Sequence, residues 1–220
     1  MTPCDVVRVA ILGNQGVGKT SIIHQALYTE FTDNSFPTRI ASYYNVTLFS
    51  RERLFNVMLI DTPSFQETDE SHQHLDHLDW VKEHCYRRCS LFVLVYDVSN
   101  DETFTHVKIL HNEIAKCLDN NEFPVIILGN KVDLLGSTVK RRNDKIDSNH
   151  FALYFKQDIA NFARKVMKVK YLECSAKYNW NITKALNEMA TMLQAYEEYG
   201  IRTMALKNQA HFPKKPCTIS

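Results

Sequence analysis

The 220-residue sequence is poor in glycine, proline and cysteine, with six of each. So few glycines and prolines exclude a collagen-like or low-complexity chain. The cysteines include no CxxC pair and no short disulfide framework, which argues against a zinc ribbon or a secreted disulfide scaffold. No signal peptide follows Met1, so we expect a reducing, cytosolic environment. No apolar run approaches the ~20 residues that a membrane-spanning helix needs.

Neither sign of charge dominates the chain. Its 26 Lys and Arg face 25 Asp and Glu, for a net charge of +1, which excludes a strongly basic nucleic-acid-binding protein and an acidic solvating protein. The charges are unevenly placed, because residues 67–83 are acidic and residues 137–170 are basic. A solvated surface is the default interpretation of the basic segment. Contact with an anionic membrane surface or with an acidic partner is the alternative, and no nucleic acid is expected.

Short apolar runs alternate with amphipathic stretches, and this pattern predicts an α/β fold. Several runs are rich in Val, Ile and Leu without alternation, as in a mostly parallel sheet that helices cover on both faces. Two runs joined by the polar turn 50–53 predict an antiparallel hairpin. The predicted strands are 6–12, 43–49, 54–60, 91–96, 125–128 and 171–174. The predicted helices are 19–28, 71–85, 102–118, 151–167 and 182–199.

Length and composition predict a single domain over residues 1–200. A chain of this size buries enough apolar surface for one hydrophobic core. Residues 136–150 are polar and basic, and they are interpreted as an exposed insert. Helical periodicity is lost after residue 200, which predicts a mobile tail over residues 201–220.

A glycine-rich loop follows the first predicted strand. Its sequence, GNQGVGKT, matches the G-x4-G-K-[ST] pattern of a phosphate-binding loop. The glycines let backbone N–H groups turn towards phosphate oxygens, and the next helix adds the positive end of its dipole. In this motif Lys19 reaches the β and γ phosphates, and the Thr20 hydroxyl is a ligand of Mg²⁺. The predicted phosphate-binding residues are Gly13, Asn14, Gln15, Gly16, Val17, Gly18, Lys19, Thr20 and Ser21.

Two further motifs follow later strands and point to guanine. In the first, Asn130-Lys131-Val132-Asp133, the Asp133 carboxylate accepts from N1–H and the exocyclic amine of guanine, a donor pair that adenine lacks. The Lys131 stem is expected against the base plane. In the second, Cys174-Ser175-Ala176-Lys177, the backbone contacts the base oxygen. The residues predicted here to bind guanine are Asn130, Lys131, Asp133, Ser175, Ala176 and Lys177.

With these three motifs in this order, the chain resembles the Ras-type small GTPases from about residue 6 to residue 199. Segments 92–99 (FVLVYDVS) and 171–182 (YLECSAKYNWNI) are most similar to the divergent branch called Ras-like protein family member ten. The resemblance implies a P-loop NTPase fold with six strands and five helices, and GTP or GDP bound with Mg²⁺. It also implies that two switch regions, 35–43 and 61–83, change with the γ-phosphate and bind effector and regulator proteins.

The resemblance assigns roles to further residues. Phe31 matches the aromatic residue that edges the guanine, and Thr38 matches the Mg²⁺-sensing threonine of the first switch. Asp61 would hold Mg²⁺ through water, so the implied metal-binding residues are Thr20, Thr38 and Asp61. The implied catalytic residues are Lys19, Thr38 and Gln66.

Three positions depart from the family pattern. Where the family has glycine and the catalytic glutamine, this chain has Ser64 and Phe65, with Gln66 one residue later. Gln15 stands where Ras itself has glycine, so its side chain intrudes where an activating arginine would meet the water-positioning glutamine. The hypothesis is slow GTP hydrolysis and a long-lived GTP form. The alternative is that Gln15 or Gln66 positions water.

The chain ends in Lys214-Lys215-Pro216-Cys217-Thr218-Ile219-Ser220, a C-a-a-X pattern. A terminal serine favours farnesylation of Cys217, so farnesyltransferase is an expected partner. One lipid supports only marginal membrane binding. We expect reversible attachment to the cytoplasmic face of a membrane, plasma membrane foremost, with part of the protein cytosolic. A non-catalytic GTP-binding scaffold is the alternative to the signalling switch.

Overall fold

The computed structural model describes residues 6–33, 36–51, 53–63, 81–118, 123–137 and 158–210. In these parts of the chain, strands and α-helices are accompanied by two short π-helical segments. The strands are β1 (Val7–Gly13), β2 (Ser42–Ser50), β3 (Arg53–Asp61), β4 (Leu91–Asp97), β5 (Val125–Asn130) and β6 (Lys170–Glu173). The helices are α1 (Lys19–Tyr28), α2 (Glu102–Leu118), α3 (Asp133–Ser137) and α4 (Ile182–Ala210), with π1 (Lys82–Tyr86) and π2 (Phe162–Val166).

All six strands form one sheet in the order β2-β3-β1-β4-β5-β6. The β2–β3 pair is antiparallel, and the other four pairs are parallel. Parallel pairing brings the carboxyl ends of β1, β3, β4, β5 and β6 to one edge, which is where ligands bind in open α/β sheets. The predicted fold class is therefore confirmed, and the predicted strand ends agree within two residues.

The burial of the central strands explains why their sequences do not alternate. Every residue of β4 and β5 is buried, since helices cover both faces. On one face the core includes Ile22 and Ile23 of α1 with Met189 of α4. On the other face it includes Leu110 of α2 and Tyr86 of π1.

The structure confirms both ends of the predicted helices 19–28 and 102–118 and differs at the end of the last predicted helix. The last helix does not stop at residue 199 but continues to Ala210. The reason is that residues 201–210 contain no glycine or proline, and one glycine at position 200 costs only about 1 kcal/mol in a helix interior. Helix α3 was not predicted. Most of the predicted helix 71–85 and the first part of 151–167 lie outside the described residues, as do most of the insert 136–150 and residues 211–220.

No helix in the described ranges combines the length and the apolar character needed to cross a bilayer.

Candidate nucleotide-binding site

The loop between β1 and α1 is folded around the Lys19 side chain. Lys19 is 4% exposed, and its Nζ donates to the carbonyl oxygens of Gly13 at 2.9 Å and Asn14 at 3.2 Å. Gly18, at φ 95°, caps the N-terminus of α1. A Cβ on Gly18 would overlap Nδ2 of Asn130, so both backbone conformation and space require glycine here.

The buried ammonium is poised to receive negative charge. Burial lowers the pKa of Lys19 to about 8, and the nearby Asp61 carboxylate partly opposes this shift. A desolvated cation gains more from an anionic ligand than a solvated one does, because the effective dielectric constant is lower. With the N-terminus of α1 beside it, Lys19 suits a phosphate group.

Thr20, Thr38 and Asp61 meet although they come from three separate segments. Thr20 Oγ1 donates to Asp61 Oδ2 at 2.6 Å, and Thr38 Oγ1 lies 3.0 Å from Thr20 Oγ1. Asp61 is 1% exposed, and its Oδ1 is buried without a hydrogen-bond partner among the described residues. Burial raises the pKa of Asp61, and the Thr20 hydrogen bond and Lys19 oppose the rise. Two hydroxyls and a carboxylate are hard oxygen donors of the kind that Mg²⁺ prefers, so the residues present fit that ion.

Asn130, at the end of β5, joins three segments. Its Nδ2 donates to the carbonyl oxygen of Val17 at 2.9 Å, and its Oδ1 accepts from the Ala176 N–H at 3.1 Å. The Cys174 thiol lies 3.7 Å from the same Oδ1. Both atoms of the amide are thus used within the protein, and Asn130 ties the phosphate loop to the 174–177 loop.

The neighbouring charged side chains are also held in place. Ser175 Oγ donates to Asp133 Oδ1 at 2.5 Å. This bond fixes the orientation of the Asp133 carboxylate at the cavity. Lys131 adopts a left-handed conformation, with φ 67°, and its ammonium pairs with Asp97 Oδ2 at 2.7 Å. The sequence had predicted only that the Lys131 stem would lie along the base. It contained no signal that Asp97, at the end of β4, would be the partner of its charge.

A cavity of about 470 Å³ runs between these groups, a volume typical of small-molecule and cofactor sites. At its rim Lys177 Nζ donates to Asp33 Oδ1 at 2.8 Å and lies 5.8 Å from the centre of the Phe31 ring. Of the predicted residues, Gln15, Gly16, Gly18, Lys19, Thr20, Ser21, Phe31, Thr38, Asn130, Lys131, Asp133, Ala176 and Lys177 line it. Gly13, Asn14, Val17, Ser175 and Asp61 act on those lining residues through the contacts described above.

A pair of residues that the sequence did not predict lies beside the Thr20–Thr38–Asp61 cluster. His24 lines the cavity one helical turn after Thr20. Its Nε2 lies 3.1 Å from the Tyr44 hydroxyl, with the two rings packed edge to face. Only the pairing of β2 with β3 brings Tyr44 near α1, so no local pattern could have revealed it.

Four residues singled out in the sequence lie outside the described residues: the second-switch residues Ser64, Phe65 and Gln66, and the predicted modification site Cys217. Their roles therefore stay predictions. Gln15 is described, and its backbone N–H donates to Asn14 Oδ1 at 2.7 Å.

The phosphate loop, the hydroxyl–carboxylate cluster and the base-selecting loops at one sheet edge define a P-loop guanine-nucleotide-binding protein. The Ras family model matches residues 8–195, and the chain belongs to the Ras family, whose members are GTP-binding switches and GTPases.

Individual relatives agree with this assignment. The chain is 30% identical over 187 residues to Ras-like protein family member 10B of Homo sapiens, covering 83% of each chain. It is 29% identical over 185 residues to Ras-like protein family member 10A of Mus musculus, covering 83% of this chain and 84% of the relative. It is 26% identical over 215 residues to Ras-like protein rasZ of Dictyostelium discoideum, covering 98% and 88%. These similarities are consistent with the Ras-like branch indicated by the sequence motifs.

Proposed function

We propose that this protein is a Mg²⁺-dependent guanine-nucleotide switch with slow GTP hydrolysis that acts at a membrane surface. The observation that carries the metal dependence is the buried cluster of Thr20, Thr38 and Asp61. Its Asp61 Oδ1 is buried without a protein partner among the described residues, and a buried polar atom that lacks a partner is costly. A cation at the cluster, directly or through water, would remove that cost.

Each group at the phosphate end has a distinct task. Lys19 binds phosphate oxygens with its desolvated ammonium. Thr20, on α1, is the fixed metal ligand. Thr38, in the first switch, reports whether that switch is closed. When bound, Mg²⁺ neutralises charge on the β and γ phosphates.

The proposal of slow hydrolysis rests on the residue types at two positions, 15 and 65, where the family pattern has glycine and the water-positioning glutamine. The Phe65 ring has no group that orients water, and Gln15 brings a side chain to the position where the family pattern has glycine. A glutamine that orients the attacking water is a recurring part of the GTPase mechanism. The alternative is that Gln15 or Gln66 takes over this task, and kinetics distinguish the two.

Membrane association rests on the chain's last residues. Cys217 is followed by three residues that end in serine, a pattern that favours farnesyl attachment. One such lipid binds reversibly, and an anionic membrane surface would add attraction for the basic segment 137–170. Replacing Cys217 with Ser should therefore release a fluorescent fusion from membranes. A fusion that stays equally membrane-bound would contradict the proposal.

The metal dependence is tested by nucleotide release. Release of fluorescent GDP from the purified protein should accelerate when EDTA removes Mg²⁺. The Asp61→Asn variant should release GDP quickly even in Mg²⁺ and respond little to EDTA. Asp158→Asn, which changes an exposed carboxylate, is the matched control and should behave like the natural protein. An EDTA-insensitive natural protein would contradict the metal dependence.

Hydrolysis is tested by identifying the nucleotide that copurifies with the protein in Mg²⁺. Mostly GTP supports a slow enzyme, and replacing Phe65 with Gln should then raise the single-turnover rate. Mostly GDP, with a rate that Gln66→Ala abolishes, would show that Gln66 positions water. An empty site would contradict both slow hydrolysis and hydrolysis that depends on Gln66.

The second candidate function is a GTP-binding scaffold in which turnover has no role. The observation that favours it is Ser64-Phe65 at the water-positioning segment, beside intact binding residues such as Lys19 and Asp133. A scaffold would bind its partner equally well with GDP and with a non-hydrolysable GTP analogue, whereas a switch would not.

A further inference from the structure

A chain of buried hydroxyls lies beneath the guanine-binding loops. The Tyr96 hydroxyl of β4 is 2.7 Å from the Tyr171 hydroxyl of β6, and the Tyr171 hydroxyl donates to Glu173 Oε1 at 3.0 Å. Because the Tyr171 hydroxyl donates its one proton to Glu173, it accepts the hydrogen bond from the Tyr96 hydroxyl. The tyrosines are 1% and 8% exposed, and burial raises the pKa of both phenols. Both therefore stay protonated and keep this direction of donation at neutral pH.

The two tyrosines meet across β5 because the intervening residue is glycine. In the sheet register Gly129 pairs with Tyr96 on one side and Glu173 on the other. A Cβ at Gly129 would lie 2.9 Å from both the Tyr96 hydroxyl and Cγ1 of Val98. A contact that short requires one of the groups to move. Gly129 therefore leaves the space through which the chain passes.

Three residues in or beside this chain directly precede residues of the candidate guanine-binding site or their partners. Tyr96 precedes Asp97, which pairs with Lys131. Gly129 precedes Asn130, and Glu173 precedes the 174–177 loop. The hydroxyl chain thus joins the ends of β4 and β6 on one face of the sheet.

A second connection lies on the opposite face. Tyr96 and Tyr171 belong to the core beneath α2, whereas Cys174 and Ala176, which contact Asn130, belong to the core beneath α1 and α4. A single connection would let the loops pivot about it. Two connections on opposite faces fix both the spacing and the tilt of the loops.

We propose that Tyr96, Tyr171 and Glu173 are positioning residues that set the spacing between the two guanine-binding loops and thereby guanine selectivity. This inference rests on guanine-nucleotide binding by the same site. Asp133 selects guanine through two donors, N1–H and the exocyclic amine. If the loops separate, the second of these hydrogen bonds is weakened first, and inosine diphosphate, which lacks the amine, becomes a better competitor.

The test compares GDP with inosine diphosphate as competitors of fluorescent GDP. The selectivity ratio is the dissociation constant of inosine diphosphate divided by that of GDP. In Tyr171→Phe this ratio should fall about fivefold, which corresponds to the free energy of about one net hydrogen bond. Tyr96→Phe should reduce the ratio about as much, because either substitution removes the Tyr96–Tyr171 hydrogen bond, which is the bond of the chain that joins β4 to β6. In the double variant the ratio should fall no further than in Tyr171→Phe, since one substitution is enough to interrupt the chain.

Tyr86→Phe is the matched control. Tyr86 is fully buried in the same core, and its hydroxyl donates to Glu113 Oε2 at 3.4 Å. Neither residue is among those that line the cavity. Loss of this hydroxyl should lower the melting temperature but leave the ratio unchanged, so the ratio separates positioning from general stability.

The outcomes separate this inference from the function on which it rests. A natural protein that does not prefer GDP to inosine diphosphate would refute guanine selection itself. If the natural protein prefers GDP and Tyr171→Phe prefers it equally, the positioning role of the hydroxyl chain is refuted, but guanine selection is not. The same conclusion follows if the ratio changes no more in Tyr171→Phe than in Tyr86→Phe.

Discussion

The two ends of the nucleotide cavity are organised differently. At the base end, polar side chains bond to one another: Asn130 uses both atoms of its amide, Ser175 holds Asp133, and Asp97 holds Lys131. At the phosphate end, Lys19 donates to two loop carbonyls, and Asp61 keeps a buried oxygen that has no hydrogen-bond partner in the part of the chain that the structure describes.

This difference suits the two ends to different tasks: selection of the base at one end and response to the number of phosphates at the other. Groups that are fixed in advance reject a wrong base because they cannot rearrange to satisfy it. In the proposed switch, groups that bind the ligand's phosphates respond to how many phosphates it has, and Thr38 would bring the first switch into that response. We therefore expect one end to determine which nucleotide binds and the other to report its state.

The largest effect is expected from a steric overlap between the phosphate loop and Asn130 at the base end. Gly18→Ala forces a Cβ onto Asn130 in a left-handed backbone and should lower the free energy of unfolding by roughly 3 kcal/mol, with a severe loss of GDP affinity. Gly16→Ala is the matched control, because Gly16 is also left-handed, at φ 76°, but has open space around it. It should lose only about 1–2 kcal/mol. Urea unfolding measures both, and equal losses would contradict the steric argument.

Removing the buried Lys19 ammonium tests the phosphate end alone. Lys19→Ala should weaken GDP binding about fiftyfold, because hydrogen bonds to charged groups contribute ~1.5–3 kcal/mol. Its preference for GDP over inosine diphosphate should stay intact, since the base end is unchanged. Lys116→Ala, an exposed lysine on α2, serves as the control in the same titration. A lost base preference would show that the two ends are not separable.

The depressed pKa of Lys19 predicts a pH dependence. Because phosphate binding needs the ammonium, GDP affinity should be flat below pH 8 and fall up to about tenfold per pH unit above it. Stability without nucleotide should change in the opposite direction. The unfolded chain binds the Lys19 proton up to its ordinary pKa of 10.5, so the unfolding free energy should rise with pH between about 8 and 10.5. Fluorescence titrations from pH 7 to 9 test the first trend, and in Lys19→Ala both trends should vanish.

The smallest effect is expected at the rim of the base end. The Lys177–Asp33 pair is exposed, and exposed pairs contribute little. Asp33→Asn should accelerate GDP release by less than any change above, and the difference should disappear at high salt, where exposed charges are screened. Stopped-flow release at low and high salt measures it. A large, salt-insensitive change would mean that this pair is part of the fixed base end.

Local patterns predicted most of the fold. The apolar runs of β4 and β5 and the polar turn before β3 carry their signal in adjacent residues, which is why the predicted strand bounds agree within two residues. The end of α4 was predicted too early because the loss of amphipathic periodicity was taken as the loss of helix. Periodicity reports which face is buried, whereas helix propensity decides whether the backbone continues.

The chemistry of the site was predictable for a similar reason. Phosphate loops and base-selecting motifs need particular residues at fixed spacings, so Lys19, Thr20 and Asp133 were recognisable in the sequence. Their partners were not. Asp97, Tyr44 and the Tyr96–Tyr171–Glu173 chain occupy positions that have no motif of their own.

The amino-acid sequence by itself determined the family, the nucleotide chemistry and the order of strands and helices, because each depends on side chains that are close along the chain. Only the tertiary structure decided which groups pair: Lys177 with Asp33, Lys131 with Asp97, Tyr96 with Tyr171 across Gly129. Those choices arise where parallel strands bring distant loops to one edge of the sheet. There, burial makes an unpaired polar group expensive, and geometry determines which partner is within reach.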